Sequence, residues 1–141
     1  MKRVILSRII LNERSPEQTV FLKEEGEPGR VMPIVIGIFE ANAIQMGLYK
    51  ISPARPMTHD LLSNTIKSFG AALQHVFIYK LEQSTFFAMM YFKTDKGVVK
   101  VDGRPSDAIA LSVRLNAPIY VDDTVFDSVA VEETPLDYDI T

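Results

Sequence analysis

Residues 100–115 read Lys-Val-Asp-Gly-Arg-Pro-Ser-Asp-Ala-Ile-Ala-Leu-Ser-Val-Arg-Leu, and their pattern changes halfway along. Lys100 and Asp102 share one face of a strand end, and Gly103 permits a tight turn. Pro105, which has no N–H to lose, stands at the first position of a helix with Ala108, Leu111 and Leu115 along one side. A strand that passes directly into a helix marks a mixed chain. Upstream, residues 72–81, 85–94 and 97–101 are three apolar runs joined by the short turns Glu82-Gln83-Ser84 and Asp95-Lys96, which read as an antiparallel meander. Downstream, Asn116-Ala117-Pro118 stops the helix and Pro118–Val121 forms a short last strand. The expected fold class is α+β: a mixed, largely antiparallel sheet with three main helices in a single compact domain.

Further toward the N-terminus, residues 2–12 and 18–24 read as a hairpin around the loop Glu13–Glu17, and Val31–Ile36 as a third strand. Pro33 lacks the N–H a central strand would need, which places that strand at an edge or at its own start. Gly37 opens a helix over residues 38–50 whose apolar residues run nearly all the way round, so burial on more than one side is expected. Thr58 is a good N-cap for a second helix, whose stripe Leu61, Leu62, Thr65, Ile66 and Phe69 ends at Gly70. In residues 86–92 (FFAMMYF) both alternating faces are apolar, so the face not covered by helices should meet more chain or a second copy.

At 141 residues, 47% hydrophobic and 23% charged, the chain fits one globular domain. Residues 1–130 are read as that domain and 131–141 as a flexible acidic tail. The absence of cysteine removes disulfides, zinc–thiolate sites and a thiol nucleophile, and points to the cytoplasm. The opening Met1–Leu6 begins with basic residues as a leader does, but Ser7-Arg8 interrupts the apolar run, so it is read as a strand. No window approaches the ~18 apolar residues of a membrane span. Residues 122–141 hold seven acids and no lysine or arginine, which leaves fifteen basic against eleven acidic residues in 1–121, a body charge of +4. That charge suits a phosphate-bearing partner but falls short of a dedicated nucleic-acid binder. P-loop, dinucleotide-fingerprint, zincin and serine-hydrolase signatures are absent.

The residues that could carry chemistry lie at element ends. Glu40, in an almost wholly apolar helix, needs a cation, hydrogen-bond donors or a wet rim. His59 and Asp60 occupy a first helical turn, where the helix dipole favours the carboxylate. Asp102, Arg104 and Asp107 converge on the strand-to-helix junction. Asp107 can equally cap its helix, and Asp102 can bridge Arg104 to hold the turn.

Four strings in this order, Met32-Pro33-Ile34-Val35-Ile36-Gly37, Phe39-Glu40-Ala41, Arg55-Pro56-Met57-Thr58-His59-Asp60-Leu61-Leu62, and Val101-Asp102-Gly103-Arg104-Pro105-Ser106-Asp107-Ala108-Ile109-Ala110-Leu111, resemble the bifunctional nuclease domain family over about residues 1–130. The resemblance implies an α+β domain, a wedge-shaped homodimer with an active-site groove, and weak hydrolysis of DNA and RNA. Longer relatives of this kind carry a C-terminal helical module where this chain has its acidic stretch. Phosphodiester hydrolysis suggests a divalent ion, Mg²⁺ or Mn²⁺, held by carboxylates. On that expectation Asp102 and Asp107 hold the metal or orient its water, and Glu40 or Asp60 completes the shell. Arg104 binds the scissile phosphate with Lys100 and Arg55 as further substrate contacts, and His59 assists proton transfer. The alternative is an oligomeric binding or regulatory module in which the same polar residues are caps and ion pairs.

Overall fold

Strand β2 (Glu17–Glu24) alternates without a break, burying Gln18, Val20, Leu22 and Glu24 and turning Thr19, Phe21 and Lys23 outward. It pairs antiparallel with β1 (Lys2–Ile10) on one side and β3 (Val31–Gly37) on the other. Gln18 shapes the hairpin loop. Its amide donates to the carbonyls of Asn12 and Ser15 at 2.9 and 2.8 Å and accepts from the Asn12 N–H, so a buried polar side chain meets the loop's backbone needs. The computed structural model describes residues 1–133.

After β3 come helices α1 (Ile38–Leu48) and α2 (Thr58–Ser68), the meander β4 (Ala72–Glu82), β5 (Thr85–Thr94) and β6 (Gly97–Gly103), helix α3 (Pro105–Leu115), β7 (Ile119–Val121) and α4 (Asp123–Val129). The seven strands form one curled sheet in the order β3-β2-β1-β7-β4-β5-β6, antiparallel except where β4 meets β7. The mixed, largely antiparallel sheet is therefore as expected, and β3, with Pro33, is an edge. Gln83 and Ser84 both take positive φ, the two-residue turn that suits the right-handed twist of a hairpin. Helix α3 carries the chain from edge strand β6 back to β7 in the middle of the sheet, which sets its N-terminus over the sheet's rim.

One sheet face forms the core, with Val20, Leu22, Ile34, Val76, Ile78, Met90 and Val121 packed against Ala41 and Ile44 of α1, residues 108–111 of α3, and Phe126 of α4. Helix α4 is a short fourth helix beside the three main ones, within the acidic stretch that begins at residue 122. Asp122 caps it, accepting from the N–H groups of Thr124 and Val125 at 3.0 and 3.2 Å. Phe126 is fully buried, worth about 1.5–3 kcal/mol relative to exposure. Arg30 ties the helix down by chelating buried Glu24 at 2.8 and 3.1 Å, reaching Asp127 at 3.1 Å and covering the Phe126 ring. Residues 122–129 are thus acidic because a helix start and an arginine use those acids. Val131 adds a bridge to Val31 and Glu133 pairs with Lys23. The rest of the expected tail, 134–141, lies outside the described residues.

Two apolar surfaces differ from a simple core reading. On α2 the stripe points largely outward: Leu61, Leu62 and Phe69 are exposed and only Ser63 is buried. Polar bridges to α3, described below, anchor this helix instead. On β5, Ala88, Met90 and Phe92 are covered by helices, while Phe87, Met89 and Tyr91 are half-buried on the other face, where Tyr91 stacks on His75. Among the described residues no helix lies over that second face.

Candidate active site

The starts of three helices meet beside the rim of the sheet. Arg104 is the N-cap of α3 with an extended backbone, Pro105 is its first residue, and Asp107 faces back from its first turn. Asp107 Oδ2 accepts from Arg104 Nε at 3.0 Å, and Oδ1 accepts from Arg104 Nη2 at 3.2 Å and from His59 Nε2 at 2.8 Å. Glu40, in the first turn of α1, lies 3.6 Å from the same Arg104 Nη2 that Asp107 engages. Arg104 is thereby paired with two carboxylates contributed by two helices.

The Asp107 contacts fix the chemistry of His59. Burial pushes the Asp107 carboxyl upward, but hydrogen bonds from His59 and Arg104 outweigh burial and hold it below the usual carboxylate range. An ionised carboxylate only accepts, so His59 Nε2 carries the shared hydrogen and Nδ1 is the nitrogen that can take up or release a proton. Arg104 stays firmly cationic because Asp107 raises its pKa further.

A second bridge anchors the start of α2. Arg114, two turns along α3 from Asp107, donates from Nε to Asp60 Oδ1 at 2.9 Å and from Nη1 to the Ala110 carbonyl at 2.9 Å; its side chain is only 9% exposed. The other Asp60 oxygen accepts the Met57 N–H at 3.0 Å, so Met57 is the N-cap and Thr58, expected in that role, is the first helical residue. Arg114 and the Met57 N–H hold Asp60 below the ordinary carboxylate range against the opposing effect of burial. Two glycines make room for these polar side chains. A Cβ at Gly37 would overlap Glu40 Oε1, and one at Gly47 would lie 2.7 Å from both Arg114 Nη1 and a methyl of Val113. At Gly37 the requirement is space, since its φ of −77° suits any residue.

These groups line a cleft of about 680 Å³ between α1 and α2. His59, Arg104, Asp107 and Arg114 are among its polar lining and Phe39, Met46, Met57 and Leu62 among its apolar lining. Glu40 and Arg104 also line an adjoining cleft of about 390 Å³ that runs between β3 and the β4–β5 turn. A recessed His–Asp pair beside a solvent-facing guanidinium can bind an anion and move a proton next to it.

A family model described as the bifunctional nuclease domain matches residues 20–134. The chain belongs to the bifunctional nuclease domain family. An uncharacterized protein of Mycobacterium tuberculosis is 39% identical over 113 residues, covering 80% of this chain and 67% of its own length. Bifunctional nuclease 1 and Bifunctional nuclease 2 of Arabidopsis thaliana are 25% and 27% identical over 114 and 110 residues, covering 79% and 76% of this chain. The chain spans about a third of those two plant proteins, 35% and 33%.

In this bifunctional nuclease domain three of the four strings of the resemblance meet around this cleft, at the starts of α1, α2 and α3, while residues 34–37 at the end of β3 line the adjoining one. Glu40, His59, Arg104 and Asp107 converge as a group, with Asp60 beside them on α2. Asp102 does not join them. Its cross-strand partner is Met89 and its carboxylate accepts from Tyr79 at 3.1 Å, which puts it on the sheet face opposite buried Met90. Lys100 is on that same face, 5.5 Å from the centre of the Tyr91 ring, and Arg55 is exposed in the connection between α1 and α2 without lining the cleft. The expected sharing of a divalent ion by Asp102 and Asp107 is therefore not what the fold assembles. Both oxygens of Asp107 and of Asp60 are engaged by cations or N–H groups. Among the described residues no group of three or more His, Asp or Glu is arranged to hold a metal ion. Those donors do not fit Mg²⁺ or Mn²⁺, which demand several open oxygen ligands. Arg114, on one helix face with Asp107, and Phe39, within one of the four strings, are the site residues to which the sequence assigned no role. Arg114 was detectable as the residue two turns after Asp107 on the same helix face, whereas nothing in sequence marked Phe39 as exposed. Among the described residues no helix is long and apolar enough to cross a membrane.

Proposed function

We propose that this chain is a nuclease that hydrolyses phosphodiester bonds of RNA and DNA at the α1–α2–α3 cleft. One observation carries the reading: His59, from the start of α2, and Asp107, from the start of α3, meet at 2.8 Å beside the Arg104 guanidinium, and all three line an open cleft. Arg104 binds the phosphate and offsets the charge that grows on its oxygens. His59 Nδ1 takes the proton of the attacking water and returns one to the departing sugar oxygen. Asp107 keeps the imidazole in the required tautomer, and Glu40 adds a second carboxylate beside Arg104. None of these groups reads a base edge, which suits activity on both nucleic acids. Acid–base catalysis of this kind contributes ~10²–10⁴-fold.

The test uses end-labelled RNA and DNA oligonucleotides with purified wild type, His59→Ala and Arg104→Ala. Cleavage by the wild type and its loss by at least about 10²-fold in both variants are expected. Equal cleavage by wild type and His59→Ala would refute the assignment. We further propose that the chain works in the cytoplasm as a homodimer, in which the half-buried row Phe87, Met89 and Tyr91 meets its counterpart. Sedimentation at twice 15.8 kDa supports this, and a single-chain species at every concentration contradicts it.

A further inference from the structure

The cleft is split by chemistry in a way the hydrolytic reading leaves unexplained. A site that only gripped a phosphate backbone would need cations and hydrogen-bond donors at an open surface. Here the His59 and Asp107 side chains are recessed, 14% and 29% exposed, beside a largely exposed Arg104, and Phe39, Met57 and Leu62 line the same cleft. Phe39 stands at the mouth, 81% exposed, one residue from Glu40, and takes part in none of the ring–ring or cation–ring contacts found among the described residues. Leaving a phenylalanine face in water is costly unless something covers it.

We infer that the cleft takes an unpaired nucleotide, with the base against Phe39 and the neighbouring phosphate on Arg104, so that the enzyme selects single-stranded or locally opened nucleic acid. This rests on the proposed hydrolytic reading and names its substrate class. A nucleotide has the same division as the cleft: a flat apolar base joined to an anion. Arg104 and Phe39 both line the cleft, Arg104 offering a cation for the phosphate and Phe39 a flat face for the base. The volume of about 680 Å³ lies within the ~300–1,000 Å³ range of small-molecule sites. A duplex keeps its bases stacked and paired inside its backbone. To place a phosphate beside recessed His59 it must first extrude a nucleotide, at a cost that a single strand does not bear. Stacking on an aromatic face is tolerant of base identity, which agrees with the lack of base-edge readers.

The experiment offers one oligonucleotide, alone and annealed to its complement, to the wild type, Phe39→Ala and Phe39→Trp. A matching strand carrying 2-aminopurine reports stacking by fluorescence quenching. Three results are expected: cleavage of the free strand at least tenfold faster than of the duplex; a loss of about 5- to 150-fold on the free strand in Phe39→Ala, mostly in KM; and retention in Phe39→Trp. Quenching by the wild type should vanish in Phe39→Ala. Equal cleavage of strand and duplex, or an unchanged Phe39→Ala, overturns the inference while leaving the hydrolytic reading intact. A Phe39→Ala protein that changes its sedimentation and slows equally on both substrates also overturns it, by making the cleft mouth a contact between copies. Quenching that depends on Phe39 without any cleavage supports the nucleotide cleft and refutes the hydrolytic reading.

Discussion

Replacing Arg114 with methionine separates a structural Asp60 from a metal-ligating one. The Arg114 guanidinium is nearly buried and makes two 2.9 Å hydrogen bonds, one to Asp60 and one to the Ala110 carbonyl; Asp60 is 25% exposed. Breaking a buried ion pair from one side costs ~3–5 kcal/mol, mostly because the partner charge is stranded. Water reaches Asp60 and the Met57 N–H remains, so the expected cost is nearer about 2–3 kcal/mol. For a domain of this size each kcal/mol lowers Tm by roughly 3 °C, which makes the drop about 6–9 °C by thermal melting. Adding Asp60→Asn to Arg114→Met removes the stranded charge and should recover about 1–2 kcal/mol, a coupling that a double-mutant cycle measures. Because His59 adjoins Asp60 in the first turn of α2, nuclease turnover should fall with the pair. An Arg114→Met protein melting within 2 °C of wild type would refute this account of how α2 is held. So would a Mg²⁺-dependent rise in wild-type Tm that Asp60→Asn abolishes.

Gly37→Ala should fold normally, since φ at that position suits alanine, yet push the Glu40 carboxylate off Arg104. Its melting curve should match wild type while kcat/KM falls several-fold, as in Glu40→Gln, and unchanged activity would refute the spatial role given to Gly37. The carboxyls of Glu24, Asp60 and Asp107 all titrate lower in the folded chain than their ordinary values of 4.5, 3.8 and 3.8. Groups depressed on folding contribute stability that is complete above those values and is lost as pH falls through the folded ones. Tm should therefore hold steady from neutrality to about pH 5 and drop steeply below about pH 4; a main loss between pH 7 and 5.5 would contradict it.

The sheet was legible because its signals are local. Alternation in β2, Pro33 in β3 and the two-residue turns of the meander each constrain a few neighbouring residues. Helix α4 was obscured by its own acids: Asp122 and Asp127 look like a solvated tail until Arg30, far away in sequence, is seen to use one of them. The exposed face of α2 follows from long-range polar pairs, which an apolar stripe does not reveal. At the site, sequence singled out Glu40, His59, Arg104 and Asp107 as residues at helix starts, and the fold brings them together. It also put Asp102 with them, because a spacing of five residues across Gly103 looks short. Strand alternation decides otherwise, directing Asp102 to the face opposite Met90. Phe39 had no distinguishing mark, since exposure is a property of the assembled helices.

The most direct measurement of the central claim is the turnover of Asp107→Asn on a labelled single-stranded oligonucleotide in EDTA, beside wild type prepared identically. Asparagine keeps the shape but can present an N–H where His59 needs an acceptor, and it leaves Arg104 without its closest anion. The account predicts a folded variant with kcat reduced about 10²–10⁴-fold and a wild type indifferent to the chelator. A variant that cleaves at the wild-type rate, or a wild type silenced by EDTA and restored by Mg²⁺, would contradict it.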